Sequence, residues 1–399
     1  MFKETDQTFQ YETEITKKGA YVKFRHDNPE AMPIYLTTAF NVEDVDDLFD
    51  RYSVGGFTYN RVKNPNRSAL AELMTYLEGG EDTVACSSGM GAITTLLLTN
   101  LQTGDHVVFN SSLYGEIFDL HSLLLDKMQI QVSYVDFTNL EAVRDAMRPN
   151  TKMVYTESAT NPMLSVPDLA ALAEIAHSHN AIMVVDNTFM SVYAIRPIEF
   201  GADLVINSLT KFANGHSDAV CGSLTGRADL IKKAQTLNVL LGAHADSFSA
   251  WLTTRGLRTF ALRLDRQMEN AAAVAKALEE NPNVLKVNHP SLESHPQHEL
   301  AAKQFKGRYG GMLSFEPKNA SIEKINQFMR KLNIIHYAMT LGGYRTTLTH
   351  PVSSSHRLVP KEKRLAMGLT DGLIRMSFGI ENKEDLIADL TQALTVFED

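Results

Sequence analysis

Between residues 66 and 238 the chain alternates strand-like runs with helical runs, and this alternation leaves few folds open to it. Apolar residues at helical spacing predict helices over 68–77, 140–147 and 169–178. Short apolar runs predict strands over 106–109, 130–135, 152–157, 182–186 and 204–207. Strands that alternate with helices favour an α/β fold, here a mostly parallel sheet flanked by helices.

The two ends of the chain differ from this central part. Residues 1–60 are polar, and we predict an extended N-terminal arm with one short helix near 42–49. An arm with little core of its own is expected to contact the neighbouring subunit. Residues 248–399 begin with a long helical pattern over 248–280, followed by strand-like runs at 312–315 and 373–378. We therefore predict three parts: the arm at 1–60, an α/β domain at 61–247 and a smaller α+β domain at 248–399.

Length and composition narrow the function classes. The 399 residues suffice for one large domain and a lesser one. With 38 basic and 47 acidic residues, a net charge of −9 and no basic block, a nucleic-acid partner is disfavoured. No apolar run approaches the roughly 18 residues of a membrane span, and the first ten residues have no signal-peptide pattern. We expect a cytoplasmic protein that binds no membrane.

Metal and disulfide chemistry have little support. Two distant cysteines, Cys86 and Cys221, indicate neither a disulfide framework nor a zinc site. The histidine pairs at 177/179 and 295/298 have no second cluster at ligand spacing, so we predict no metal.

The stretch 203–218, DLVINSLTKFANGHSD, places a lysine directly after a predicted strand. Ligands in open α/β folds bind outside the carboxyl ends of strands, so Lys211 is a candidate catalytic residue. A solvated surface lysine is the ordinary alternative.

Two upstream segments strengthen this candidate. Asp186 ends the apolar run of AIMVVDNTF, although a turn or helix cap is the commoner role for such a residue. The segment 85–92, ACSSGMGA, opens a predicted helix with serines and glycines, which present free N–H groups to an anion. It matches neither a P-loop nor a dinucleotide fingerprint. Pyridoxal phosphate needs all three features: a helix start for its phosphate, a lysine for its aldehyde and a carboxylate for its ring nitrogen.

With these segments in place, the chain resembles the Cys/Met-metabolism family of pyridoxal-phosphate enzymes, of fold type I, and in particular its methionine γ-lyase and cystathionine γ-lyase members. The resemblance extends over about 35–398. It rests on the segments FTYNRVKNPN, CSSGMGAI, ESATNP, VVDNTF, NSLTKFANGHSDAVCG, HPQHELA, LGG and RMSFGIE.

The resemblance implies roles for individual residues. Lys211 would bind pyridoxal 5'-phosphate and later abstract the α-proton, while Asp186 keeps the ring nitrogen protonated. Tyr114 would stack on the ring and protonate the leaving group, its pKa lowered beside a cationic system. Arg375 would bind the substrate carboxylate in a bidentate manner, although an exposed salt bridge at a sheet edge is the alternative. The remaining cofactor residues implied are Tyr59, Arg61, Ser88, Gly89, Met90, Asn161, Ser208 and Thr210. Asn161 would approach the ring oxygen and also the substrate carboxylate.

Subunit organisation also follows from the resemblance. Tyr59 and Arg61 would reach the phosphate of the neighbouring subunit, because a phenol and a guanidinium suit phosphate. This implies at least a dimer, and a homotetramer built from two active dimers is expected.

Substrate choice is less determined. Met339 and Thr340, just before Leu341-Gly342-Gly343, are predicted to contact substrate, and an apolar Met339 resembles methionine γ-lyases rather than cystathionine γ-lyases. Glu116 stands where methionine γ-lyases carry a cysteine, and Arg345 replaces a more usual acidic residue. Glu116 could pair with Arg345 or face a cationic leaving group.

The predicted activity is α,γ-elimination of methionine or a related sulfur amino acid to 2-oxobutyrate, ammonia and a thiol. The alternatives are a cystathionine γ-lyase, a cysteine or homocysteine desulfhydrase, and a transferase such as an O-acylhomoserine sulfhydrylase or cystathionine γ-synthase. A non-enzymatic, cofactor-binding protein would be expected to lack Lys211, Asp186 or Arg375, and all three are present.

Overall fold

The computed structural model describes residues 10–18, 29–357 and 359–398. Parts of the predicted arm, at 1–9 and 19–28, lie outside these ranges, and so does most of the N-terminal segment tested for a signal peptide. The α-helices are α1 (Tyr11–Lys17), α2 (Val45–Ser53), α3 (Pro65–Glu78), α4 (Gly89–Asn100), α5 (Gly115–Leu120), α6 (Leu140–Ala146), α7 (Leu169–Ser178), α8 (Ser191–Ala194), α9 (Ala228–Leu241), α10 (Ser247–Leu257), α11 (Phe260–Glu279), α12 (His298–Phe305), α13 (Ile322–Lys331), α14 (Lys361–Ala366) and α15 (Lys383–Leu394). The strands are β1 (Asp82–Cys86), β2 (His106–Asn110), β3 (Gln131–Val135), β4 (Thr151–Glu157), β5 (Ile182–Asp186), β6 (Leu204–Asn207), β7 (Gly222–Gly226), β8 (Val284–Asn288), β9 (Met312–Pro317), β10 (His336–Tyr337), β11 (Thr347–Thr349) and β12 (Ile374–Ser377).

The chain forms two compact units, residues 1–100 with 203–261 and residues 101–202 with 262–399. We call them unit 1 and unit 2. The domain boundaries at 60/61 and 247/248 stay predictions.

In unit 1, β7 pairs antiparallel with β1 on one side and with β6 on the other. Helices α3, α4 and α9 pack on these strands, and α10 packs on α3. The alternation of the sequence predicts β6 but neither β1 nor β7.

The arm is partly anchored within unit 1. Trp251 donates its indole N–H to the carbonyl of Met32 at 2.7 Å, and Arg258 donates to the carbonyl of Lys18 at 2.8 Å. The predicted short helix is α2, which begins after Asp44, whose side chain accepts the N–H of Asp47. No residue of α2 is buried, and its Val45, Phe49 and Tyr52 are exposed.

In unit 2, strands β3, β2, β4 and β5 are neighbours in that order and all run parallel. Their residues are largely apolar, as expected for strands covered on both faces, and α7 packs on β4 and β5. This parallel arrangement, flanked by helices, confirms the predicted α/β class.

The C-terminal part of unit 2 contains a second sheet in the order β10-β11-β12-β9-β8, mostly antiparallel. A buried apolar cluster from α11, α13, α15 and this sheet forms its core, as the predicted α+β character requires. The helical pattern over 248–280 is not one helix, because α10 ends at Leu257 and α11 begins at Phe260. No helix in the described ranges combines the length and apolarity needed to cross a bilayer.

Candidate active site

The helix start that the sequence predicts to bind an anion lies in unit 1, where β1 leads through Ser87 and Ser88 into α4. Ser88 caps this helix, since its hydroxyl oxygen accepts the N–H of Gly91 at 2.9 Å. The first N–H groups of a helix have no partner within the helix and attract anions. A Cβ on Gly89 would lie 2.8 Å from the Cβ of Ser208, so glycine permits this close approach. The structure thus brings the backbone of Gly89 and the Ser208 side chain together, and their binding of a phosphate stays a prediction.

Lys211 lies on an ordered turn between β6 and β7. Its N–H donates to the carbonyl of Ser208 at 3.1 Å, and its carbonyl accepts the N–H of Gly215 at 2.8 Å. Thr210 is fixed beside it, because its hydroxyl accepts the N–H of Cys221 at 3.0 Å and its N–H donates to the Cys221 carbonyl at 3.1 Å. The half-buried lysine therefore follows a strand end, as the sequence predicts.

Tyr59 and Arg61 are exposed on unit 1. The Arg61 guanidinium lies 5.8 Å from the centre of the Tyr59 ring and donates to the carbonyl of Val239 at 3.0 Å. Their predicted role toward a neighbouring subunit stays a prediction.

Two buried carboxylates end neighbouring strands of unit 2. Asp186 ends β5, Glu157 ends β4, and the two are register partners. Asp186 accepts the N–H of Thr188 at 3.0 Å, which is the Asx-turn contact that the sequence offers as an alternative. Burial raises the pKa of Asp186. Burial and then the nearby charge of Asp186 raise the pKa of Glu157 well above its ordinary value.

Tyr114 precedes α5 and is half-buried. Its N–H donates to Oε1 of Glu157 at 2.7 Å. Burial raises the pKa of the Tyr114 phenol and so does the carboxylate of Glu116, whereas Arg375 opposes this effect. We expect a cationic cofactor to lower the pKa of Tyr114. Any such lowering therefore starts from a pKa that the protein itself raises.

Arg375 lies on β12, between β9 and β11, and is 6% exposed. The edge-exposed salt bridge considered as an alternative is not what the structure has: no described carboxylate forms an ion pair with Arg375. Its Nη1 donates to Oδ1 of Asn161 at 3.1 Å, and burial lowers its pKa to about 10. A buried guanidinium with one neutral partner is suited to receive an anion.

The remaining predicted residues lie in unit 2. Met339 is 60% exposed, and the hydroxyl of Tyr337 lies 4.0 Å from its sulfur. Thr340 is half-buried. Two residues later, the N–H of Gly342 donates to the Ser377 hydroxyl at 2.8 Å. Glu116 is exposed at the start of α5, and no ion pair joins it to Arg345 in the described ranges.

Sequence reasoning missed two residues of this region. Glu157 belongs to the segment ESATNP, and its place at the end of a predicted strand was a usable signal. Tyr337 was not foreseen. Burial lowers the pKa of Arg375, and Tyr337, after Tyr114, partly opposes that lowering. Among the residues that the structure describes, no group of three or more His, Cys, Asp and Glu side chains is arranged to hold a metal.

The residues fit pyridoxal phosphate. Unit 1 offers the capped start of α4, where Gly89 lies close to Ser208, together with the hydroxyls of Ser208 and Thr210; these groups suit a phosphate. It also offers Lys211, whose amine suits an aldehyde. Unit 2 offers the buried carboxylate of Asp186, which suits a protonated ring nitrogen. It also offers the buried guanidinium of Arg375, which has no ion-pair partner among the described residues.

Comparison with known proteins agrees with this chemistry. L-methionine gamma-lyase of Fusobacterium nucleatum subsp. polymorphum is 40% identical over 369 residues, covering 91% of this chain and 93% of its own length. Cystathionine gamma-lyase of Bacillus subtilis (strain 168) is 39% identical over 340 residues, 85% of this chain and 89% of its own.

A solved structure of an O-acetylhomoserine (thiol)-lyase (metY) from Campylobacter jejuni, which carries N'-pyridoxyl-lysine-5'-monophosphate, superposes with a TM-score of 0.90 at 30% identity. The superposition covers 96% of this chain and 99% of the other one. This similarity confirms the predicted fold type. The model of the Cys/Met metabolism PLP-dependent enzymes matches residues 12–395. The chain belongs to this family, and its cofactor is pyridoxal 5'-phosphate.

Proposed function

We propose that the protein is a carbon–sulfur lyase that eliminates the γ-substituent of methionine or a related sulfur amino acid, giving 2-oxobutyrate, ammonia and a thiol. The observation that carries this proposal is the buried Arg375, which has no ion-pair partner in the described ranges and hydrogen-bonds only to a neutral amide. Such a cation is suited to an α-carboxylate, the group that all amino-acid substrates share. The curated relative named L-methionine gamma-lyase, 40% identical over most of both chains, supports the reaction class.

Each residue has a proposed task. When bound, pyridoxal phosphate supplies an electron sink that makes protons near the amino group acidic. Lys211 holds the cofactor and then moves the α-proton as a base. Asp186 holds a proton on the ring nitrogen, a task that suits a buried carboxylate. Arg375 and Asn161 orient the substrate through its carboxylate, which limits the positions the reacting atoms adopt.

The leaving sulfur needs a proton, and Tyr114 is the proposed donor. A phenol whose pKa is raised by burial stays protonated at neutral pH and can supply that proton. Ser88, Gly89, Met90, Ser208 and Thr210 are proposed to bind the phosphate through N–H and O–H donors.

Met339 supports a thioether substrate. Its side chain is exposed and apolar, and Tyr337 lies beside it, so neither residue places a charge next to an aliphatic tail. Methionine carries such a tail and no distal charge.

Glu116 favours a second candidate, elimination from cystathionine, whose distal end carries an ammonium group. Its exposed carboxylate adds to the effect of burial in raising the pKa of the Tyr114 phenol, and it has no ion-pair partner among the described residues. Replacing Glu116 by Gln should lower activity on cystathionine relative to methionine if this candidate is correct.

We further propose a homotetramer built from two active dimers, in which Tyr59 and Arg61 contribute to the neighbour's phosphate site. The exposed apolar residues of α2 support an interface there, because large apolar side chains are seldom left solvated together. A cytoplasmic location is likewise proposed.

The test is a 2-oxo acid assay on the cofactor-loaded protein with methionine, homocysteine, cystathionine, cysteine and O-acetylhomoserine in parallel. Methionine yielding 2-oxobutyrate and methanethiol supports the proposal, whereas activity confined to cystathionine or cysteine would refute the methionine assignment. Adding a thiol separates elimination from replacement, because a transferase would then form a new thioether. Lys211→Ala should abolish turnover, and Lys233→Ala, which removes an exposed lysine of α9, should not.

A further inference from the structure

The carboxylate of Glu157 joins two loops of unit 2. It is 5% exposed at the end of β4. Its Oε1 accepts the N–H of Tyr114 at 2.7 Å, and its Oε2 accepts the N–H of Asn161 at 2.8 Å. Each oxygen thus holds a different loop.

Both loops carry proposed site residues. Tyr114 occupies the N-cap position of α5 without capping it by its side chain, so its N–H bond to Glu157 is a main constraint on its backbone. The following residue, Gly115, is in close contact with the Ser355 carbonyl, since a Cβ there would lie 2.0 Å from that oxygen. On the other loop, Asn161 accepts a hydrogen bond from Arg375 at 3.1 Å. A continuous chain of three hydrogen bonds therefore runs from Tyr114 through Glu157 and Asn161 to Arg375.

The location of this carboxylate is costly. Glu157 is buried beside Asp186, and no described cation forms an ion pair with it. Burying a carboxylate without a counter-charge is unfavourable unless hydrogen bonds compensate. A neutral side chain could pack in the same space, so the two N–H bonds to separate loops are the distinctive property of the glutamate. The simplest alternative is a purely structural contact between loops.

We propose that Glu157 is a positioning residue: one oxygen fixes the backbone of Tyr114 and the other fixes that of Asn161. It thereby sets the relative placement of the proton donor and the carboxylate-binding guanidinium. The inference rests on the roles proposed above for Tyr114 and Arg375.

The test uses Glu157→Gln in the cofactor-loaded protein. The amide keeps one acceptor oxygen, so one of the two N–H groups must face an NH2 group that cannot accept. Leaving a buried N–H group without its acceptor incurs the full desolvation cost of that group, so amide exchange at 114 or 161 should accelerate roughly tenfold to hundredfold. Exchange is read by mass spectrometry on peptides covering 112–118 and 158–164.

Two further readouts separate positioning from a structural role. The dissociation constant for alanine, which has no γ-substituent to eliminate, is measured from the cofactor's visible absorption and should rise about tenfold or more. The kcat for the best substrate should fall as well, because Tyr114 and Arg375 are no longer held together. Glu157→Asp keeps both carboxyl oxygens but is one methylene shorter. It should show changes in the same direction, and it replaces the glutamine variant should that variant not fold.

Asp389→Asn is the matched control. Asp389 is also buried and accepts backbone N–H groups, those of Asn333, Ile334 and Ile335 at 2.8–3.1 Å. It should lower stability while leaving exchange at 114 and 161 unchanged.

Unchanged exchange at both amides in the Glu157 variants would overturn the inference, and so would faster exchange with unaltered alanine affinity and kcat. If the wild-type protein eliminates none of the sulfur amino acids tested, the proposed function fails. The exchange and alanine results still decide the role of Glu157 in that case.

Discussion

Replacing Arg375 by Met should stabilise the protein while strongly weakening its binding of amino acids. Burial lowers the pKa of Arg375 to about 10, from an ordinary value above 12. A lowered pKa means that the cation is less favourable in the folded chain than in the unfolded one. The difference corresponds to a cost of about 3 kcal/mol, which is fully present at pH 7 because the group is charged in both states.

The substitution also removes one favourable contact. The hydrogen bond from Arg375 to Asn161 contributes about 1–2 kcal/mol, and losing it leaves a buried amide oxygen without that donor. Methionine fills a similar length of apolar space without a charge. The net change expected in the free energy of unfolding is an increase of about 1–2 kcal/mol.

Function should move the opposite way. A guanidinium that binds a carboxylate through two charge-assisted hydrogen bonds contributes several kcal/mol, so the KM for any amino acid should rise by about a hundredfold or more. The assay is urea unfolding at fixed protein concentration, paired with steady-state kinetics. Arg144→Met is the control: Arg144 is exposed and pairs with Glu141 at 2.6 Å, so its loss should change stability by less than about 0.5 kcal/mol. If Arg375→Met unfolded more easily than wild type by 1 kcal/mol or more, the reasoning that this cation lacks compensation would be refuted.

Three further predictions concern the cofactor, pH and substrate. Gly89→Ala should weaken cofactor retention about tenfold or more, measured as cofactor absorption after dialysis, because its Cβ would lie 2.8 Å from the Cβ of Ser208. Gly372→Ala is the control: its Cβ would lie equally close to that of Ala320, so it should lower stability without affecting cofactor absorption. The free energy of unfolding should fall as pH rises above about 4.5, because the raised pKa of Glu157 makes the folded chain bind more protons than the unfolded one. Glu157→Gln should flatten this pH dependence in urea titrations from pH 5 to 8. The same slope in the variant and the wild type would contradict the assignment to Glu157. Met339→Glu should reduce kcat/KM for methionine about tenfold relative to cystathionine, and an unchanged ratio would show that this side chain does not contact the substrate tail.

The sequence predicts two buried strands well, one in each unit, because their burial leaves a direct pattern. Strands β5 and β6 have the predicted bounds, since continuous apolar runs ending in a polar residue mark strands covered on both faces. The helix α7 likewise has its predicted bounds, from regular apolar spacing.

Strands β1 and β7 of unit 1 escape prediction, and for β7 the reason is physical. Strand β7, GSLTG, lacks the apolar run of a buried strand because its residues approach other backbone closely. A Cβ on Gly222 would lie 2.1 Å from the carbonyl oxygen of Ser88. Local patterning cannot register a contact that depends on a distant segment.

The break between α10 and α11 has the same origin. The sequence around Gly256 has no proline, and its helical spacing continues across the break. In the folded chain, a Cβ at this glycine would lie 2.3 Å from the carbonyl of Asn214. Close packing of another segment thus accompanies the end of the helix, and the sequence gives only the glycine as a hint.

Among the site residues, the sequence identifies the side chains but not their surroundings. Arg375 could be assigned to an alternating strand, yet only the sheet order shows that β12 is an inner strand and that the guanidinium is buried. Glu157 could be noticed as the end of a predicted strand, but its partners are the backbone N–H groups of two loops, which no residue type encodes.

The most direct test of the account reduces the cofactor-loaded protein with borohydride, digests it and maps the pyridoxyl group by mass spectrometry. Reduction fixes the cofactor to the amine that holds it. The account predicts a single labelled peptide with the group on Lys211, and loss of that label together with turnover in Lys211→Ala. A pyridoxyl group on another lysine, with turnover retained in Lys211→Ala, would contradict the site proposed here.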